Sequence, residues 1–501
     1  MSPLALLLLG LGSTAGLTIY GAVEPAAPGD IVTLAGDGLS NASLSICEAA
    51  SPTSCLDVSP LGPTAYAVKF TLPLNVSTPA VLNVIAKSPT GDLASVTLGI
   101  PRVDWFSAPG AAAPRTVSPG GLLTLFGRNF AFDPAGRCLP WTTQAAGPTS
   151  GAASVVATPA GRLPTDPAAV RLPAWSGDAV SLPVRSCFRL DSAVPGDLPP
   201  GLWDVYVTAN GLAGLNASAA PPAIAGLRVA PPPAWPPGTW TLGSSPGCSD
   251  LASCLTVAGA GGGGTVAVPA GTWTMPGGAL LSFPNASVAV VGAGRDVSVV
   301  EWQQGTYLGP KCAGGVVTSA FPGVRWAISD LSLVVRAACQ PGAQPPNGMP
   351  IVAIASGSVG VSLTRLRIVN DLSLYPGIQL GNAIAASNAS LFSVVDVDVQ
   401  HSGSCDAQWP NNAALYISGN STDAHLRGLR VVTTCPGYSV TSSSRVAMTD
   451  SAWVSVGDVS EGQGFNTLGA PSVLEHIYYG NTSTAGNPAA PERWESMTYD
   501  G

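Results

Sequence analysis

Charge is scarce in this chain. Only 10% of its 501 residues are Asp, Glu, Lys or Arg, and 21 basic against 29 acidic side chains leave a formal charge of −8. No basic block occurs, and a phosphate backbone needs clustered Lys and Arg, so no nucleic-acid partner is expected. No apolar run reaches the ~20 residues that cross a bilayer as a helix, so no transmembrane segment is read. No two cysteines form a C-x-x-C pair, which removes the common zinc frameworks. A G-x-x-x-x-G-K-[ST] phosphate loop is also missing.

Glycine and proline are abundant instead, at 59 and 47 residues, and 46% of the chain is hydrophobic. That profile suits strands joined by many turns, and the length calls for several domains. The start, MSPLALLLLGLGSTAG, has an apolar stretch followed by small residues, the outline of a secretory signal over 1–16. The ten cysteines fall into near pairs: Cys47/Cys55, Cys138/Cys187, Cys248/Cys254, Cys312/Cys339 and Cys405/Cys435. Seven N-x-S/T sequons occur, at Asn41, Asn75, Asn216, Asn285, Asn388, Asn420 and Asn481. Leader, paired cysteines and sequons together predict a secreted, glycosylated, disulfide-bonded monomer.

An internal repeat lies early. PGDIVTLAGDGL (28–39) matches SPGGLLTLFGRNF (118–130), with Pro28-Gly29 over Pro119-Gly120, Thr33 over Thr124 and Gly36 over Gly127. AVLNVIAKS (80–88) and GLWDVYVTANG (201–211) close the two copies. Short alternating strands punctuated by Gly and Pro predict two small β-sandwiches, over 17–102 and 103–229, the second with an insertion near 131–180. These residues resemble IPT/TIG domains, immunoglobulin-like sandwiches of extracellular proteins. APPPAWPPG then opens a proline-rich linker over 230–240.

The glycine run in GGGTVAVPAGTW (262–273) is not a nucleotide loop, because the strand follows the glycines and no amphipathic helix comes after it. Spacing explains it better. Val266, Val268, Gly271 and Trp273 sit at offsets 0, 2, 5 and 7. The same offsets recur at Trp326/Ile328/Leu331/Leu333, Val361/Leu363/Leu366/Ile368, Phe392/Val394/Val397/Val399 and Ala424/Leu426/Leu429/Val431. Residues two apart share a strand face, and a three-residue step marks a bend. Coils of this kind bury their interior only by stacking, which predicts a right-handed parallel β-helix over 241–501 with Trp273 plugging its first coil. The fold class is therefore all-β: two Ig-like sandwiches followed by a β-helix. TVAVPAGTWTMPGGALLSFPNASVAVVGAGRD also resembles the first coils of pectin-lyase-fold proteins. That family includes lyases, glycosidases and epimerases, but also non-catalytic adhesins, so fold leaves activity open. The chain ends at Asp500-Gly501 without a visible cap, which reads as a truncated β-helix.

Aligned coils put Asp330, Arg365 and Asp396 in one outward column and Arg367, Asp398 and Arg430 in another. Stacked about 4.8 Å apart, these charges alternate in sign. In a polysaccharide groove, Arg365, Arg367 and Arg430 would hold uronate carboxylates, with Asp396 and Asp398 as paired acids and His401 as an acid/base. Glu495, in PERWESMTYDG, is a second acid candidate, and Asp458 and Glu461 lie in a loop upstream. If the chain is a lyase, the resemblance implies Ca2+ held by aspartates. The competing reading is a salt-bridge ladder on a solvated sheet, each pair contributing ~0–1 kcal/mol. His425 and His476 read as structural. The R-x-P-x-x-R of pectate lyases, the N-T-D, D-D, G-H-G and R-I-K set of polygalacturonases and the Y-G-F-D-P-H of alginate epimerases are absent, so no family catalytic residue carries over. Two functions stay open: an enzyme on an acidic glycan, lyase-like or glycosidase-like, or a non-catalytic surface protein that binds glycans or has a structural role.

Overall fold

The computed structural model describes residues 17–455 apart from 23–28, 49–50, 77–81, 110–112, 114, 131–153, 176–188, 209–223, 233, 277–278, 305–306, 309–314, 320, 340–349, 376–380, 404–412 and 436, and adds the backbone of strands at 465–469, 472–481 and 493–499. Nearly all of its regular structure is strand. No described helix is long and apolar enough to cross a membrane.

Two antiparallel units come first. In one, strands Thr18–Ala22, Ile31–Asp37 and Ala67–Thr71 form one sheet, and Ser51–Val58, Ser43–Glu48, Leu82–Lys87 and Leu93–Leu98 form another. Their facing residues, among them Val32, Leu34, Ile46, Phe70 and Val84, make a separate core. In the other, Arg189–Ala193, Leu122–Arg128 and Arg102–Ser107 lie opposite a five-stranded sheet built on Ser154–Pro159 and Gly201–Thr208, around Leu123, Leu125, Val205 and Leu227. The two copies of the repeat adopt the same turn, with Gly29 at φ 92° and Gly120 at φ 75°, a conformation glycine takes without strain. Ser154–Pro159 and Val170–Leu172 are strands inside the stretch read as an insertion. SVVATP alternates enough to pair, and it does so with Gly201–Thr208.

From Gly238 onward the strands pair in parallel, except that the last described strand, Arg493–Tyr499, runs antiparallel to Ser472–Asn481. Strand Trp326–Val335 pairs with Ser362–Asp371, that with Ser393–Ser402, that with Thr422–Thr433, and that with Tyr438–Ser455. One apolar core runs from Leu242 to Trp453 through the interior of this β-helix-like stack. Each inward position read from the last four coils is buried. A further coil follows at Val446, Met448, Ser451 and Trp453, with a buried serine where the others carry Leu or Val. Trp273 is only partly buried. Its ring covers Gly243, and its Nε1–H donates to the Pro269 carbonyl.

The coil bends have a common cause. The residue at offset 4 is left-handed in each of five successive coils: Asp330 (φ 59°), Arg365 (50°), Asp396 (54°), Gly428 (66°) and Asp450 (51°). Two more columns behave alike, Gly357–Asn388–Asn420 and Gly360–Leu391–Asp423–Arg445. A left-handed residue turns the chain while leaving parallel pairing intact on both sides.

Leu251–Ala260, read as part of an all-β segment, is an α-helix. Asp250 caps it by accepting from the Ser253 N–H, and the Ser253 hydroxyl answers the Asp250 N–H. Its buried residues Leu251, Cys254, Leu255 and Ala258 join the core beside strand Leu281–Phe283. The glycine run ends this helix and starts the next strand; a Cβ on Gly264 would lie 2.1 Å from the Gly238 carbonyl oxygen. Disulfides Cys47–Cys55 and Cys248–Cys254 are formed, and Cys435 is also disulfide-bonded. The side chains of the remaining paired cysteines, Cys138, Cys187, Cys312, Cys339 and Cys405, lie outside the described residues.

Candidate functional site

The charged columns converge on the corner formed by offset 4. Asp330 accepts two hydrogen bonds from Arg365, from Nε at 2.5 Å and Nη2 at 2.7 Å. These bonds hold the Asp330 carboxyl below its ordinary value against the opposing effect of burial. Arg367 meets Asp296 at 3.1 Å, not the Asp398 expected from the column. Asp396 and Asp398 share two arginines. Arg430 donates from Nη2 to Asp396 at 2.6 Å and from Nε to Asp398. Arg295 reaches the same pair at 3.0 and 3.1 Å. Burial lowers the Arg430 guanidinium, but hydrogen bonds to Asp398 and Asp396 outweigh it and the net shift is upward.

Arg295 and Asp296 were not in the columns because their corner is expanded. Val291 pairs with Ser329 and Val299 with Ser332, so an eight-residue step from strand Val288–Gly292 to strand Ser298–Trp302 matches a three-residue step within Trp326–Val335. The extra residues form a loop that carries Arg295 over the following coils to Asp396. The only sequence signal for this was the charged GAGRD turn after the VAVVG strand.

Asp396 and Asp398 do not stand as alternate residues of a flat strand. Asp396 occupies the left-handed corner, so the two carboxylates reach Arg430 from either side of a bend. Asp398 spends both oxygens on guanidinium groups. Asp396 spends Oδ1 on two of them and leaves Oδ2 without a protein partner among the described residues.

His401 lies elsewhere. It points inward and is 1% exposed, with Nδ1 beside the Thr433 hydroxyl and Nε2 against the Gly381 carbonyl. Burial pushes its pKa down to about 4, against the raising effect of the Gly381 bond. The structure does not bring it to the aspartate pair, because residues 399 and 401 share the inward face while 398 faces out. Glu495 falls in strand Arg493–Tyr499, and its side chain lies outside the described residues, as do those of His476, Asp458 and Glu461.

Of the sequon asparagines, Asn41, Asn75, Asn285, Asn388 and Asn420 are exposed; Asn216 and the Asn481 side chain lie outside the described residues. Among the described residues no group of three or more His, Cys, Asp or Glu could hold a metal ion. The Asp396/Asp398 pair has three of its four oxygens turned to arginine, so it does not fit a cation. A cavity of about 170 Å³ lies in the second antiparallel unit, lined by Ser154, Arg171, Asp191 and Ser192 among others, not on the arginine–aspartate corner.

No family model matches this chain, and no curated protein matches it. Among solved structures it is similar to the catalytic domain of a GH87 alpha-1,3-glucanase in complex with tetrasaccharides, at 12% identity over 79% of this chain and 78% of that one, with a TM-score of 0.29. The same catalytic domain in complex with nigerose gives 13% identity over 74% and 70%, with a TM-score of 0.30. A surface glycan-binding protein from Prevotella bryantii gives 15% identity over 39% and 40%, with a TM-score of 0.14.

Proposed function

We propose that this chain is a secreted, glycosylated, monomeric protein. In this reading two Ig-like sandwiches precede a right-handed β-helix that binds an acidic extracellular polysaccharide along its charged corner. One observation carries the reading. Arg365 and Arg367 on one coil and Arg430 two coils further on stand at the same corner with their side chains 54%, 39% and 44% exposed. Among the described residues Arg367 uses only Nη1, on Asp296, which leaves its planar guanidinium donors for a uronate carboxylate. The disulfides support an oxidising compartment.

The charge pairing favours binding over hydrolysis at this corner. A general acid must present its proton to a leaving oxygen, and Asp398 points both oxygens, and Asp396 its Oδ1, at guanidinium groups. The enzyme reading, glycosidase-like or lyase-like, keeps one observation in its favour: the unpartnered Oδ2 of Asp396 beside the part-exposed Asp398. Affinity electrophoresis in polyuronide and neutral glycan gels tests the proposal. Polyuronide should retard the protein, and Arg365→Ala with Arg367→Ala should weaken retardation at least ~10-fold, the loss of two charge-assisted contacts. No retardation in any polyuronide sinks the binding reading. Reducing ends, or an unsaturated product absorbing in the ultraviolet, that vanish in Asp396→Asn/Asp398→Asn would establish the enzyme instead.

A further inference from the structure

Two cations and two anions are buried where the second antiparallel unit meets the β-helix. Arg189 and Asp191 come from strand Arg189–Ala193, Arg427 and Asp450 from two successive coils, and the side chains are 0%, 0%, 1% and 9% exposed. Arg189 forks onto both acids, donating to Asp191 at 3.1 and 2.7 Å and to Asp450 at 3.1 and 2.8 Å. Arg427 completes the ring at 3.4 Å from Asp191 and 3.2 Å from Asp450. Its nitrogens lack hydrogen-bond geometry there, so charge alone holds it and Arg189 makes the directed bonds.

The contact extends across a whole sheet face. Arg189 lies opposite Phe126, Asp191 opposite Thr124, and Thr124 opposite Ser107, so these residues share one side of the three-stranded sheet. Against them the β-helix sets His425, Arg427, Ala447 and Asp450. Phe126 packs on Ala447, and the Ser107 hydroxyl meets His425 Nδ1 at 2.8 Å. The earlier-coil positions that match His425, Arg427 and Ala447 hold Ala327, Ser329, Ser362, Thr364, Ser393 and Val395, without charge, whereas Asp450 stands in the corner column that carries Asp330, Arg365 and Asp396. An outward face of a β-helix is buried only if something covers it, and here both mates carry the charges that the other needs.

We propose that this face is a dedicated docking surface for the unit at 103–229, and that the two fold as one fixed body despite the proline-rich linker between them. A mate that left any of the four charges unpaired would strand it in a dry interface, so the quartet selects this partner. The linker is itself held: the Arg325 guanidinium lies 3.7 Å over the Trp235 ring. Arg427 and Arg430 flank the Gly428 corner, so the docked unit stands beside the charged corner whether or not that corner binds glycan.

The test uses the full chain with a specific protease site placed in the linker between Ala230 and Trp235. After cleavage the two pieces should co-elute on gel filtration at neutral pH, physiological ionic strength and micromolar concentration. Elution as two separate pieces overturns the proposal. Asp450→Arg should separate the cleaved pieces, and adding Arg189→Asp should restore co-elution; a double variant that separates like the single one overturns the role of the quartet. Phe126→Ser guards against misfolding of the charge variants, because in an undocked unit this side chain lies on the open sheet face. It should loosen the cleaved complex at least tenfold, and unchanged co-elution counts against the surface.

Discussion

At the residue scale, the corners decide most. A left-handed backbone is strained for side chains with a Cβ, least so for Asn and Asp. The column Gly357–Asn388–Asn420 uses two of the three residue types that tolerate it. Asn420→Gly should therefore leave stability almost unchanged, whereas Asn420→Val should cost ~1–2 kcal/mol, measured by denaturant unfolding. Equal losses for both would show that the Asn side chain, not the backbone, matters. The sequons at these two corners thus have a structural reason to be asparagine that a motif scan does not see. The histidines follow burial. His401 is pushed down to about 4 and His425 to about 3, both chiefly by desolvation, with Arg427 and Arg189 adding to the second and Asp450 opposing. Both are neutral when folded, while an unfolded histidine gains its proton near its model value of 6.5. Stability is then full above the unfolded pKa and declines as pH falls from there toward the folded values. Asp330, also depressed, acts only below its ordinary 3.8. Thermal melts should lose midpoint steadily from about pH 7 to pH 4, and His401→Gln/His425→Gln should flatten that slope. A slope that persists in the double variant assigns the acid sensitivity to carboxylates.

At the element scale, the coil repeat was legible because the inward positions of four consecutive coils, from Trp326 to Val431, repeat one hydrophobic choice. The charged columns were legible for the same reason, one residue off. What failed was partner assignment. Arg367 turns back to Asp296, and Arg295 arrives from an expanded corner, because a loop of extra residues leaves the register that the alignment depended on. The exposures rank these pairs. Asp396 is 8% exposed and Asp296 69%. Arg295→Ala removes a donor from a nearly buried carboxylate and should lower the melting temperature by ~2–4 °C, while Arg367→Ala at a solvated pair should stay within error. A larger effect at Arg367 would reverse the ranking. The helix at Leu251–Ala260 was missed because its ten residues show no helical periodicity strong enough to stand out beside a glycine run. Its evidence is the Asp250–Ser253 cap, a local pattern that only matters once the chain is known to turn there.

At the scale of the whole molecule, composition and periodicity determined the class of architecture. Sparse charge, plentiful turn residues and the 0, 2, 5, 7 spacing allow little except stacked strands, and in the last four coils so read the inward positions are the ones the core uses, while in the first Gly271 is exposed and Trp273 half-buried. These are short-range constraints, since a strand's face and a coil's bend are set within a dozen residues. Tertiary structure alone decided which charges are neutralised and which are offered. Arg189 and Asp450 are 261 residues apart, and Arg295 and Asp396 are 101 apart. No local rule joins such pairs. Their meeting follows from how many residues each corner holds and which sheet face is covered. For the same reason His401 and Asp398, three positions apart in sequence, end on opposite sides of the same strand, one in the core and one at the charged corner.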